Sequence, residues 1–211
     1  NEWQRLAPVL SAIKDHSKTW PVKPKLSVDT RHYQVAEKAI ALGVGWINDV
    51  SGFSDTRMRE LVAETAVQCV VMHNLGIPAN KCKVLPSYPN ICEQVLDWAK
   101  QRINELILAG VEPKQLIFDI GIGFGKTAQQ STYLLKNIKQ FQHLGYPLLV
   151  GHSRKSFLNL ITDMPFSERD FETALFSYQL ALQGVSYLRI HNVELSARAL
   201  KCVCYMEENH L

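Results

Sequence analysis

Six short apolar runs in this 211-residue chain each end on side chains able to hold or transform a ligand. They are Asp29 in LSVDT, Asn48 in INDVSG, Met72-His73, Asp119 in FDIGIGFGKT, Ser153-Arg154-Lys155 in GHSRKS, and Arg189 with His191 in LRIHNV. Carboxylates and an amide can pair with the donor and acceptor edge of a small molecule, and Lys, Arg and His can hold an anion. Parallel strands that close into a barrel bring their C-terminal ends onto one face, so residues distant in sequence meet around one pocket there. The repeated placement therefore locates an active site.

The elements that must position these residues follow a strand-then-helix order. Strands are expected near Lys25–Asp29, Gly45–Asn48, Gln68–Met72, Leu116–Asp119, Leu148–Gly151 and Tyr187–Ile190, each rich in Ile, Val, Leu or aromatics as buried strands are. Helices are expected at Tyr33–Leu42, Asp55–Glu64, Asn90–Ala109, Ser131–Leu144, Arg169–Gln183 and Val193–Glu208, with a short one at Lys155–Ile161. In the longest, Ile91, Val95, Ala99, Ile103 and Ile107 recur at four-residue steps and should face the barrel. Ser167 with Asp170 forms a capping-box pattern.

Glu2–His16 reads as a further helix with no strand before it. The expected fold is therefore an α/β TIM (β/α)8 barrel lacking its first two strands, with 1–211 as a single domain incomplete at the N-terminus. An open six-stranded doubly wound sheet is the alternative.

Composition fits an ordinary cytoplasmic enzyme, with 46% hydrophobic and 20% charged residues. No apolar stretch approaches the roughly 20 residues that span a bilayer, and no signal peptide begins the chain. The net charge of +3 is too small and dispersed for a nucleic-acid surface, but it suits a pocket that takes an anion. Cys69, Cys82, Cys92, Cys202 and Cys204 lack Cys-x-x-Cys spacing and read as free thiols in a reducing compartment. The segment GIGFGKT matches neither phosphate motif it suggests: Ile120 stands where a Walker loop needs Gly, and no acidic residue follows at dinucleotide spacing. What remains is a Gly-rich turn whose backbone can approach a flat ligand, with Phe124 available to contact a ring. A long loop is expected over His73–Pro89.

SVDT, INDVSG, VMH..G.P, D.GIGFGKT, PLLVG.SRKS and LR.H.V occur in the order and spacing of the dihydropteroate synthase family, which this chain resembles over nearly all its length. The resemblance implies a TIM barrel that joins 6-hydroxymethyl-7,8-dihydropterin diphosphate to 4-aminobenzoate, giving 7,8-dihydropteroate and diphosphate for folate synthesis. It also implies a transferase that is a sulfonamide target, a homodimer, and Mg²⁺ whose family ligand would lie ahead of Asn1, so that no metal ligand is expected in this chain. The activity of the chain alone is left open by that expectation. Two departures stand out: Ile120 where the family usually has Pro, and Asn192 where it usually has Asp.

By resemblance, Asp119 accepts the adjacent donors of the pterin edge, Asn48 pairs beside it, Asp29 adds an acceptor, and Met72 packs on the pterin plane. Lys155 donates to the pterin carbonyl or ring nitrogen, while Arg189 and His191, one strand step apart on the same face, suit the departing diphosphate. Ser153, with a following helix N-terminus, suits the aminobenzoate carboxylate. Lys155, Arg189, His191 and Asp29 form the expected catalytic set. Bland roles stand beside these. Asp29 and Asn48 could be helix N-caps, Met72 core filler, Lys155 and Arg189 solvated charges, and Arg154 half of a structural ion pair. His73 reads as a satisfied loop histidine, and His16, His32, His143, His152 and His210 have no argument for a site. A methyltetrahydrofolate-binding methyltransferase barrel shares the pterin-edge residues but has no need of the Lys155, Arg189 and His191 anion site. A non-catalytic pterin-binding fragment is the remaining alternative.

Overall fold

The computed structural model describes residues 2–78, 83–87 and 90–208; Cys82, His210 and parts of the expected His73–Pro89 loop lie outside the described residues. Six strands form one sheet in the order β1-β2-β3-β4-β5-β6: β1 Ser27–Asp29, β2 Trp46–Asp49, β3 Gln68–Met72, β4 Leu116–Asp119, β5 Leu148–Val150 and β6 Tyr187–Leu188. The β1–β2, β2–β3, β4–β5 and β5–β6 ladders are all parallel. This is the parallel pairing with helical crossovers that the strand-then-helix order required. The chain divides into two compact units, Asn1–Met72 with Gln101–Ile117 and His73–Lys100 with Phe118–Leu211.

In the first unit the register aligns Val28, Ile47 and Cys69 across three strands, all buried, so one row of side chains fills a layer beneath the sheet. Helices α1 (Glu2–His16), α2 (Tyr33–Ala41) and α3 (Thr56–Ala63) follow the expected segments, and the Asp55 carboxylate caps α3 by accepting from the Arg57 N–H at 3.0 Å. The buried Gln115 amide donates to the Val62, Thr65 and Val67 carbonyls at 3.0, 2.9 and 2.9 Å, fastening the end of α3 to the start of β3. It satisfies backbone acceptors that would otherwise be buried unpaired.

The second unit is built on Phe118, Ile120, Ile122, Leu148 and Val150, packed with Leu134, Leu135, Phe141 and Phe157 from the segments that follow β4 and β5. Here three expectations are corrected. The helix expected at Ser131–Leu144 starts earlier, as α5 Ala128–Lys136, because Thr127 and Gln130 close a capping box at 3.1 and 2.9 Å; beyond Asn137 it tightens to a 3-10 run, Ile138–Leu144. The Ser167–Asp170 box does not form: Ser167 sits inside a 3-10 turn, α6 (Asp170–Leu182) has no side-chain cap, and Asp170 is drawn to Arg154 instead. The short helix after SRKS is a five-residue 3-10 turn, Ser156–Leu160; so few residues ahead of Pro165 do not repay α-helix nucleation.

The stripe on α4 (Ile91–Leu108) is corrected at its end. Ile91, Val95, Ala99 and Ile103 are buried, but Ile107 is 38% exposed and Leu106 is fully buried in its place. Four-residue steps overrun the turn of about 3.6 residues, and after four of them the row has rotated away from the core. Helix α7 spans the expected Val193–Glu208.

Candidate active site

Every expected site residue lies at or just beyond the C-terminal end of a strand, where a parallel sheet binds its ligands. In the first unit Asp29 and Asn48 face each other in register, and the Asn48 amide donates to Asp29 Oδ2 at 3.1 Å. Neither serves as the N-cap of the next helix: α2 starts after His32 and α3 after Asp55. Asn48 is only 6% exposed, and its Oδ1 is buried with no partner. A buried orphan acceptor is costly. It is an open place for a ligand N–H.

The next residue, Asp49, points to the other face of the strand and accepts from the Ser51 and Phe53 N–H groups at 2.7 and 3.1 Å. Burial raises its pKa while these two donors oppose the rise. The turn it holds carries Gly52 and Phe53 in the left-handed region and anchors the residue that presents Asn48. Met72, also buried, ends β3.

In the second unit Asp119 ends β4 and is buried. Burial pushes its carboxyl up, and Lys155, the Gly121 N–H, Lys126 and Arg189 pull it back toward the ionised form. Its Oδ1 accepts from the Gly121 N–H at 2.7 Å, and its backbone carbonyl accepts from the His73 N–H at 2.9 Å. The Gly-rich turn then coils back, with Gly121, Gly123 and Gly125 all at positive φ. Ile120, the departure from the family's usual Pro, puts its side chain wholly into the core.

Lys126, which sequence reading passed over, sits inside this turn. Its ammonium donates to the Gly121 and Phe124 carbonyls, both at 3.0 Å, and to His73 Nδ1 at 2.8 Å. Burial pushes Lys126 down to about 7, and Asp119 is the main influence raising it. His73, with a ring edge on Trp98, is held neutral, pushed down to about 2 by burial and then by Lys126. Its Nδ1 is therefore the acceptor and its proton rides on Nε2. The signal available in sequence was a lysine between a glycine turn and the T-x-x-Q cap of α5.

Lys155 donates to the Ile122 carbonyl and stands 4.6 Å over the Phe124 ring, so cation and aromatic are brought together as one wall. Ser153 and His191 also meet: the His191 N–H donates to Ser153 Oγ at 3.2 Å, and the hydroxyl lies 2.8 Å from His191 Nδ1. The Ser153 hydroxyl is thus engaged, and the turn after it is too short to supply a helix N-terminus for a carboxylate. Arg189, exposed, extends the β6 ladder by donating its N–H to the Val150 carbonyl at 3.0 Å, whereas His191 lies past the strand. The even spacing of the two thus does not reflect a shared strand face.

Arg154 is half of an ion pair, its guanidinium forked on Asp170 at 2.7 and 2.8 Å, which holds the Asp170 carboxyl low. Asn192, the second family departure, donates to Asp170 Oδ2 at 3.0 Å and caps α7 by accepting from the Leu195 N–H at 3.1 Å. In this chain an aspartate there would set two carboxylates against each other. Asn192→Asp is expected to lose about 1 kcal/mol of stability at neutral pH. The deficit should shrink as pH falls and the introduced carboxyl, raised by Asp170 beside it, takes up a proton that relieves the repulsion. Urea denaturation of both proteins at neutral and acid pH checks it, and a constant difference would contradict it.

The family model described as "Pterin binding enzyme" matches residues 1–191. The chain is 36% identical over 205 residues to the folate synthesis bifunctional protein of Chlamydia caviae, covering 97% of this chain but 46% of that protein, so it spans about half of that relative. It is 32% identical to the dihydropteroate synthase of Haemophilus influenzae, covering 95% of this chain and 70% of the relative. Among solved structures, dihydropteroate synthase from Anaplasma phagocytophilum with bound 6-hydroxymethylpterin-monophosphate superposes with a TM-score of 0.91 at 37% identity, over 97% of this chain and 80% of that one.

Proposed function

Because the chain belongs to the pterin binding enzyme family, we propose that it performs the dihydropteroate synthase reaction. In that reaction 4-aminobenzoate displaces diphosphate from 6-hydroxymethyl-7,8-dihydropterin diphosphate. The observation that carries this reading is Asp119: a buried carboxylate at a strand end, held toward its ionised form by Lys155, Lys126 and Arg189, with one oxygen committed to the Gly121 N–H. Such a group suits an amino-pyrimidine edge of adjacent N–H donors. In the first unit the orphan Asn48 Oδ1, with Asp29 holding the Asn48 amide, offers an acceptor of the same kind. Met72 and Phe124 offer apolar surfaces to the pterin rings.

In the reaction the carbon–oxygen bond to diphosphate breaks, the amine lone pair forms the new carbon–nitrogen bond, and the amine gives up one proton. The bond to the leaving group weakens first, so the main demand is to stabilise charge on the diphosphate. Arg189 and His191 take that role, and Lys155 holds the pterin carbonyl or ring nitrogen. Ser153 meets the aminobenzoate carboxylate if its hydroxyl leaves His191 Nδ1. Among the described residues no three His, Cys, Asp or Glu side chains gather as a metal-ligand group, and the ligand of the Mg²⁺ that the resemblance implies would lie ahead of Asn1.

The same reading makes 1–211 one pterin-binding domain contributing six strands of a (β/α)8 barrel, and extends to sulfonamides, whose arylamine mimics 4-aminobenzoate. Exposed Phe171 and Leu175 on α6 and Val193 and Tyr205 on α7 support a homodimer. The described cysteines are all unpaired, which supports a reducing, cytoplasmic setting. No described helix is long and apolar enough to cross a membrane.

Incubation with both substrates should release diphosphate and dihydropteroate in equal amounts; diphosphate release without arylamine consumption would overturn the proposal. Arg189→Lys sharpens it. The charge remains but the planar fork is lost, so affinity for pterin diphosphate is expected to fall roughly tenfold, about 1.4 kcal/mol. Affinity for the corresponding pterin alcohol should hardly change, and equal losses for both ligands would remove Arg189 from the diphosphate site.

A further inference from the structure

We propose that Lys126 is a positioning residue of the pterin site, holding the turn after β4 so that the Asp119 carboxylate and the Phe124 ring stay aimed at one ligand. The inference rests on the pterin reading above. Its basis is a closed circuit of hydrogen bonds within one unit. The His73 N–H donates to the Asp119 carbonyl, and the Gly121 N–H to the Asp119 carboxylate. Lys126 then ties His73 Nδ1 to the Gly121 and Phe124 carbonyls. Three ammonium protons meet three acceptors, so no donor on Lys126 is left to wander.

A neutral donor could close the same turn without the cost of burying a charge. What an ammonium adds is a positive charge beside Asp119, and each influences the other's ionisation. Lys126 therefore acts twice. It fixes the direction of the carboxylate through Gly121, and it favours the ionised acceptor that a donor edge needs. The charged groups acting on Asp119 are Lys155, Lys126 and Arg189, with neutral His73 beside them, so removing Lys126 leaves two cations to hold it ionised.

The test uses the full chain and 6-hydroxymethyl-7,8-dihydropterin as probe. Lys126→Met keeps the stem and removes the donors. Calorimetry is expected to show binding weakened on the order of tenfold. The acid limb of binding should move to higher pH, because Asp119 loses a nearby cation and is protonated sooner as pH falls. In steady-state assays the KM for pterin diphosphate should rise while that for 4-aminobenzoate stays within about twofold, a split that general loosening would not produce. Nitrogen NMR of the wild-type chain gives a second measurement independent of how the variant folds: His73 Nδ1 must be unprotonated, and a proton found there overturns the circuit. Absence of probe binding to the wild-type chain defeats the pterin reading and this inference together. Binding that is indifferent to Lys126→Met, with an unmoved acid limb, defeats this inference alone.

Discussion

Gly121→Ala is expected to destabilise this chain severely. Gly121 lies at φ +66°, and a Cβ built on it would stand 1.9 Å from the His73 carbonyl oxygen and 3.0 Å from its carbon. Neither side can yield cheaply. The His73 N–H is bonded to the Asp119 carbonyl, its ring accepts from Lys126, and the Gly121 N–H is bonded to the Asp119 carboxylate. The left-handed backbone alone costs a residue with a side chain about 1 kcal/mol, and forced displacement of packed backbone adds roughly 1–3 kcal/mol. A total of about 3 kcal/mol corresponds to a fall in Tm of roughly 6–12 °C for a chain of this size. Gly145→Ala supplies the control, because Gly145 shares a positive φ of +77° but its added Cβ would meet nothing within 4 Å. It should show the conformational cost alone. Pterin binding should be lost in Gly121→Ala and kept in Gly145→Ala, and equal melting of the two variants would mean that the turn does not pass under His73 as described.

The parts of this fold legible in sequence were those fixed by local chemistry. β3 and β4 stand where their apolar runs placed them, and α1 and α7 begin and end as expected. Asp119 and Arg189 were placed at strand ends correctly because an apolar run that stops on a charged side chain marks where a buried strand leaves the core. Ser167 and Asp170 misled because a capping pattern specifies only one possible partner: Arg154, sixteen positions earlier, offered Asp170 a bidentate ion pair that a cap could not match. Ile107 misled because a four-residue repeat is only nearly helical. Lys126 went unnoticed for a different reason. Its significance comes from the carbonyls of Gly121 and Phe124 turning inward, and carbonyl direction in a run of left-handed glycines is not written in the residue types around it. The joining of Ser153 to His191 was likewise beyond reach, because it depends on where the chain goes after a two-residue strand.

Asp119→Asn should separate binding from folding. The amide oxygen can still accept from the Gly121 N–H, now held at 2.7 Å by the carboxylate, so the turn keeps its internal bond and Tm should move by no more than a few degrees. That choice leaves the amide nitrogen as the atom presented to the ligand, and a donor then faces the donors of a pterin edge. Two losses combine. A charge-assisted hydrogen bond worth roughly 1.5–3 kcal/mol disappears, and a buried unpaired group costs about 1–3 kcal/mol. Even the lower ends of both ranges weaken binding by nearly two orders of magnitude. Affinity for 6-hydroxymethyl-7,8-dihydropterin is therefore expected to drop on the order of 100-fold, measured by calorimetry, with no change in the cooperativity of unfolding. The pH profile offers an independent check. In the wild-type chain burial raises the Asp119 carboxyl, so binding should weaken as pH falls through that raised pKa, whereas an asparagine has nothing to protonate and its residual binding should lose that acid limb. Unaltered affinity in a well-folded Asp119→Asn protein would remove Asp119 from the ligand, and with it the observation on which the proposed activity stands.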